Sequence, residues 1–325
     1  MPFSLSTLLH QGVPTPAIEV DGAFYPLRQV VPQLDAVVER SGLLGLFAEW
    51  PKSEATILQV VEDPGFNTQH LTKLDPSTDD FLTPLQYPSK VVLIGANYHS
   101  HVSNDVGVTT FNKEANLPLL FLKPPSTTLV GSGKSVRYPP QSAKLDWEIE
   151  LAAVIGRTAR RVSAADALDH VAGYTIGIDL TARDWQMHPK HFGPFDMVTG
   201  KAFDDSCPLG PKIVPARFVD YRALSLKLYV DGALKQDGYS GDMTWPLPEI
   251  IEAISQHITL EPGDIVMTGT PSGVGLATET YLSVGSRLVA EITGLGALVV
   301  EIVPGDAEAG AGPANTQNLE REAVR

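Results

Sequence analysis

Cysteine is nearly absent: Cys207 is the single thiol in 325 residues. It can neither close an internal disulfide nor build a cysteine zinc site, which excludes a disulfide scaffold and points to the reducing cytosol. Long apolar runs are also missing; nothing approaches the roughly 18 consecutive apolar residues of a membrane helix. The opening MPFSLSTLLHQGVP has neither the basic start nor the apolar core of about 7–15 residues found in a signal peptide, so neither export nor membrane binding is expected. Positive charge is scarce as well. Lys plus Arg number 24 against 38 Asp plus Glu, a net charge of −14, and that field repels a phosphate backbone, which argues against nucleic acid as a partner. What is present, 43% hydrophobic and 19% charged residues with dispersed Gly and Pro, describes a globular protein rather than a collagen-like, coiled-coil or disordered one.

Residues 1–85 read as a small N-terminal subdomain. AIEVDGAFYPL (17–27) alternates like a strand and a turn, and residues 30–50 carry helical spacing of apolar positions. A stretch rich in turn formers, 74–90, separates this part from a second domain at 86–304. There, short apolar runs recur between Pro and Gly turns, at 91–98, 117–123, 149–156, 173–182, 224–232, 264–271 and 286–303. Helical patterns are confined to 163–171 and 246–258. Regular β-α-β alternation is missing, so the fold class is α+β, β-rich, with much antiparallel sheet. Residues 305–325 are small, polar and charged, and are expected to form a disordered tail.

The stretch KLDWEIELAAVIG (144–156) alternates Asp146, Glu148 and Glu150 with Trp147, Ile149 and Leu151. Period two puts the acids on one strand face, about 6.5–7 Å apart. Two explanations remain open: a solvated acidic face, or ligands converging on a divalent cation that prefers hard oxygen donors. Asp179 stands alone in the apolar run GYTIGIDLTARDWQ (173–186). A lone acid there is costly unless metal-bound or paired, for instance with Arg183.

Seven segments in order, among them IGANYHSH (94–101), LDWEIELAAVIG (145–156), GKAFDDSCPLGP (200–211) and LEPGDIVMTGTPSGVG (260–275), resemble the fumarylacetoacetate hydrolase family over about residues 91–303. The resemblance implies a mixed β-sandwich roll. It makes Glu148, Glu150 and Asp179 the ligands of Mg²⁺, or of Mn²⁺ or Ca²⁺, and leaves Asp146 outside that set. It also implies that Tyr98, Arg183, Gln186 and Thr270 lie on the substrate side, that Lys201 is the active-site lysine, and that His101 is the general base. Without the resemblance, Lys201 reads as a surface lysine and TGTPSGVG as a turn. His99 competes with His101 for the role of base. Many relatives carry Glu three residues after the histidine; this chain has Asn104, whose amide accepts no proton, followed by Asp105, which could orient the imidazole.

Residues 102–116 resemble the family's mobile lid. His188 and His191 read either as a zinc pair or as exposed loop histidines. The activity implied is metal-dependent hydrolysis of a C–C bond in a 2,4-dioxo acid, an acylpyruvate or a fumarylpyruvate-like compound, by way of an enolate. The alternative on the same platform is a 2-oxo acid decarboxylase, hydratase or isomerase; a third reading is a metal-binding protein with catalysis lost. A homodimer is implied by the resemblance alone.

Overall fold

A computed structural model describes residues 2–77, 80–108 and 111–305. Strand Ile149–Ile155 lies near the centre of a ten-stranded sheet, buried on both faces, which is why it reads as an almost continuous apolar run. Ile149, Leu151, Ala153 and Ile155 point into one core, Ala152 and Val154 into another. Its antiparallel neighbours are Val171–Ile178 and Ile265–Met267. Beyond Ile265–Met267 come Val91–Gly95, paired in parallel, and the edge strand Leu119–Lys123. In the other direction the sheet continues through Cys207–Pro215 to Phe3–His10, Val13–Val20 and Ala23–Pro26. A second sheet of five strands runs Ala233–Tyr239, Ser225–Val230, Arg287–Ile292, Gly296–Val303 and Ser135–Arg137. Its inward residues, including Leu226, Leu228, Leu288 and Val300, close the first core together with Ile250, Ile251 and Ile254 of helix Leu247–His257. The class is α+β, and both sheets are open.

The N-terminal residues join the large sheet and cover its other face. Helix Asp35–Ala48, bent where Gly42 takes a positive φ, and helix Trp50–Val61 bury Leu46, Phe47, Trp50 and Ile57 in the second core. Phe47 and Trp50 stack with centroids 4.7 Å apart. Gly156, at the end of the central strand, lets them approach: a Cβ there would lie 2.9 Å from Trp50 Cδ1 and 2.7 Å from Ala172 Cβ.

One local expectation differs from the structure: 163–171 forms only a 3-10 turn at Ala167–His170, while strand Phe3–His10 and helix Trp50–Val61 add to the expected elements. Within 163–171 the Asp166 and Asp169 N–H groups donate to the carbonyls of Ser163 and Asp166, three residues back rather than four. The expected tail from residue 306 onward lies outside the described residues.

Candidate metal centre and active site

Leu145, Trp147, Ile149 and Leu151 all enter the first core, and the three acids alternate with them, but the acids do not share one set of partners. The short strand Leu145–Asp146 pairs with Thr181–Ala182, the chain breaks at Trp147–Glu148, and Ile149–Ile155 starts afresh. Asp146 is occupied by partners of its own: it accepts N–H bonds from Trp147 (2.7 Å), Gly275 (2.6 Å) and Leu276 (2.9 Å), and pairs at 2.8 Å with Nε of Arg183, whose guanidinium also binds Glu148. Glu148 and Glu150 instead converge with Asp179, one carboxylate oxygen of each lying within 4.8 Å of the others. Their exposures are 5%, 1% and 1%, which removes the solvated-face explanation. Asp179 reaches them because its N–H donates to the Glu148 carbonyl at 2.8 Å, where the neighbouring strands diverge.

Each acid has a different electrostatic setting. Burial pushes the Glu148 carboxyl up, but Lys201, Arg183 and His101 outweigh it and hold the pKa at about 2. Arg183 Nη2 reaches Glu148 at 2.5 Å and Lys201 Nζ at 2.8 Å. Asp179 pairs with two lysines, Lys201 at 2.6 Å and Lys123 at 2.8 Å, rather than with Arg183. Glu150 has no Lys or Arg partner among the described residues; the Gly269 N–H at 2.7 Å is its hydrogen bond. Burial first, then Asp179 and Glu148, push its pKa well above the carboxylate range. A buried acid with two acidic neighbours and no cation of its own fits a divalent ion, for which these three residues would supply hard oxygen ligands.

A pH dependence follows. Glu150 is raised relative to the unfolded chain, so metal-free protein loses stability as pH rises from the unfolded value through the raised one. A cation that needs the carboxylate displaces its proton, so its affinity rises over the same interval. The gain in Tm on adding Mg²⁺ or Mn²⁺ is expected to be larger at pH 8 than at pH 5.5; an equal gain would refute the assignment.

Lys201 ends helix Met197–Lys201, whose first N–H groups, Val198 and Thr199, are capped by Asp196 at 2.8 and 2.9 Å. Burial opposes its charge, but Asp179 and Glu148 hold the ammonium protonated. Gly200 lets this helix touch Gln186: an added Cβ would lie 2.5 Å from Gln186 Cα. Gly200→Ala must therefore separate Lys201 from Arg183 and Gln186, and is expected to cost about 1–3 kcal/mol of stability and about a hundredfold in kcat/KM. Thermal unfolding and steady-state kinetics check both.

His101 sits in helix His99–Asn104 at 7% exposure, whereas His99 is exposed, which separates the two candidates. The His101 Nδ1 lies 2.7 Å from Asp105 Oδ2. Asp105 is held in turn by the Ser272 hydroxyl at 2.8 Å and the Gly273 N–H at 3.1 Å. Asn104 is exposed and accepts from Ser103. Gln186 Oε1 accepts from Arg183 Nη1 at 3.0 Å. Thr270 Oγ1 donates to the Ile149 carbonyl and accepts from Gln236, both at 2.8 Å. Tyr98 is fully buried in the first core. From residues 111–116, Phe111 packs edge-on against Trp245 and Lys113 pairs with Glu249. His188 and His191 lie beside Trp185, and no third metal ligand joins them among the described residues.

Two supporting residues escaped the sequence reading. Lys123, with a fully buried side chain, donates to the carbonyls of Leu180, Lys201 and Ser206 besides pairing with Asp179. The run LLFLK is apolar at both parities, so it does not mark which face Lys123 joins. Gln236, also fully buried, accepts from the Ile149 N–H and donates to Thr270 and the Pro271 carbonyl; nothing local marks it.

An open, β-rich α+β fold around a buried carboxylate triad with a lysine and a histidine–aspartate pair fits the class of divalent-metal enzymes that act on small organic acids. Residues 90–303 match the fumarylacetoacetate (FAA) hydrolase C-terminal family, and the chain belongs to that family. It is similar to the mitochondrial oxaloacetate tautomerase FAHD2A of Homo sapiens, 37% identical over 240 residues, 72% of each chain. The 2-hydroxyhepta-2,4-diene-1,7-dioate isomerase of Mycobacterium marinum is 36% identical, with a TM-score of 0.59 over 70% of this chain and 79% of that one. The maleylpyruvate hydrolase of Sphingobium sp. SYK-6, solved with manganese(II) and pyruvate, is 26% identical, with a TM-score of 0.72 over 93% of this chain and all of that one.

Proposed function

We propose that this protein is a divalent-cation-dependent enzyme that transfers a proton at the carbon beside the keto group of a short 2-oxo acid, as a tautomerase or isomerase of the oxaloacetate type. The observation that carries this reading is the buried imidazole of His101, with its Nδ1 turned to Asp105, close enough to the triad to lower the Glu148 pKa. With Nδ1–H donated to the carboxylate, Nε2 is left with its lone pair to accept a proton from carbon. The electron pair of that C–H bond becomes the C2=C3 bond, and charge moves to the 2-oxo oxygen. A cation held by Glu148, Glu150 and Asp179, Mg²⁺ or Mn²⁺ by ligand chemistry and Ca²⁺ as the third candidate, would supply Lewis-acid stabilisation of that charge. Lys201 adds a fixed positive charge beside two of the ligands, and Arg183 holds Glu148 and Gln186 in register.

Hydrolysis of a C–C bond in a 2,4-dioxo acid is the second reading. It is favoured by the same His101–Asp105 pair, which could activate water even though Asn104 stands at the usual glutamate position. Tautomerisation asks less of the site, because it needs no water held in line, and it agrees with the relationship to FAHD2A. The homodimer and the cytosolic location are part of the proposal; among the described residues no helix is long and apolar enough to cross a membrane. The test is a panel run with Mg²⁺, Mn²⁺ and EDTA: decay of the oxaloacetate enol, CO₂ from oxaloacetate, and pyruvate from acylpyruvates and fumarylpyruvate. Metal-dependent enol decay alone supports the first reading. Pyruvate from acylpyruvates supports the second, and CO₂ identifies a decarboxylase.

A further inference from the structure

One loop contacts three acidic groups of the site, Glu150, Asp146 and Asp105. The Gly269 N–H donates to Glu150, the Thr270 hydroxyl to the carbonyl of Ile149, and the Gly275 and Leu276 N–H groups to Asp146. Between these, Ser272 Oγ donates to Asp105 Oδ1 at 2.8 Å, and its N–H reaches Ser100 Oγ at 3.3 Å. The conformation is demanding. Gly273 has φ +105°, and a Cβ there would lie 2.1 Å from the Lys235 carbonyl oxygen. The helix that carries His101 is tied down at its other end by Asp242, which accepts the Ser100 N–H at 2.9 Å.

We propose that Ser272 is a positioning residue for the base. Its hydroxyl, with the Gly273 N–H, holds Asp105 against His101 Nδ1, and so makes an aspartate four residues after the histidine serve where Asn104 cannot. The argument is one of reach. An Asp side chain is one methylene shorter than Glu, and Asp105 lies just past the end of helix His99–Asn104. Its carboxylate is buried, with 3% of the side chain exposed, and needs donors on both oxygens. His101 takes Oδ2 and Ser272 takes Oδ1, while the Gly273 N–H lies 3.3 Å from Oδ1 and 3.1 Å from Oδ2. Without the hydroxyl, Oδ1 keeps only the longer Gly273 contact, and the carboxylate can rotate away from the imidazole. The same loop holds Glu150, so Ser272 also sets the base in register with the ligand triad.

The kinetic part rests on the proposed reaction; the structural part does not. With oxaloacetate and Mg²⁺, Ser272→Ala is expected to lower kcat about tenfold, the value of one hydrogen bond to a charged group, with Mg²⁺ affinity unchanged. Ser272→Thr should recover wild-type kcat within about threefold, since it keeps the donor. In an Asp105→Asn background, Ser272→Ala should cost little more, because residues acting as one unit are not additive.

The independent readout is the ring ¹⁵N spectrum of His101, assigned by its loss in His101→Asn. Wild type should show one tautomer with the proton on Nδ1, and Ser272→Ala a mixture. If Ser272→Ala does not fold, Ser272→Cys, a much weaker donor, carries the same expectation. An unchanged tautomer, or an undiminished cost in the Asp105→Asn background, overturns the proposal. If no 2-oxo acid is turned over with any divalent ion, the functional reading fails, while the ring spectrum still decides the role of Ser272.

Discussion

Glu150→Gln is expected to lose divalent-cation binding by a hundredfold or more and to lower activity by at least about a thousandfold, while making the metal-free protein more stable. The two effects have one cause. Glu150 is 1% exposed, has Asp179 and Glu148 as acidic neighbours, and no Lys or Arg pairs with it among the described residues. Its ionised form is costly in the metal-free protein, and a glutamine of the same shape avoids that cost while keeping an oxygen for the Gly269 N–H. The stabilisation should be larger at pH 8 than at pH 5.5, because only above the raised pKa does the native carboxylate carry its full charge. Function and stability oppose each other at this residue. Thermal unfolding of metal-free wild type and variant at both pH values, with calorimetric titration of Mn²⁺, measures the two together. A variant less stable than wild type at pH 8 would mean that Glu150 is satisfied without a cation.

The second large effect is expected at His101. His101→Asn should reduce kcat by about 10²–10⁴-fold, the range for loss of a general base, and leave metal affinity within about threefold. The separation is possible because the imidazole reaches Asp105 and the loop of Ser272 and Gly273, whereas the ligand triad is held by Arg183, Lys201, Lys123 and Gly269. The field of His101 does contribute to the low Glu148 pKa, but after Lys201 and Arg183, so its loss leaves Glu148 ionised. A variant that retains wild-type turnover would move the base elsewhere. One that loses the metal would make His101 part of the ligand shell.

The site was legible in the sequence where its chemistry is local. Glu148 and Glu150, two apart before an apolar strand, and Asp179, isolated in another, stand out because charge is expensive there. The family resemblance then joined them to Lys201 and His101. Period two puts the acids opposite Trp147, Ile149 and Leu151, but it does not reveal that Asp146 is spent on Arg183 and the Gly275 loop while the other two meet Asp179. Gln236 and Ser272 were invisible for a related reason: each is an ordinary polar residue in its own segment and gains its role from partners 34 to 167 positions away. Lys123 is hidden for another reason: LLFLK is apolar at both parities, so no alternation marks its face. In the fold, the strands flanked by Pro and Gly turns were readable, whereas Phe3–His10 was not. It forms a hairpin with Val13–Val20 across Gln11–Gly12, but its apolar run resembles a buried helix segment as closely as a strand.

The central claim, proton transfer beside a 2-oxo group by His101 with a cation held by the carboxylate triad, is tested most directly by deuterium incorporation. Oxaloacetate in D₂O with Mg²⁺ is followed by NMR at C3, and the rate with wild type is compared with that of buffer plus metal alone. The account predicts enzyme-dependent exchange that EDTA abolishes and that both His101→Asn and Glu150→Gln remove. Exchange no faster than the metal control, or exchange that persists in His101→Asn, would contradict it.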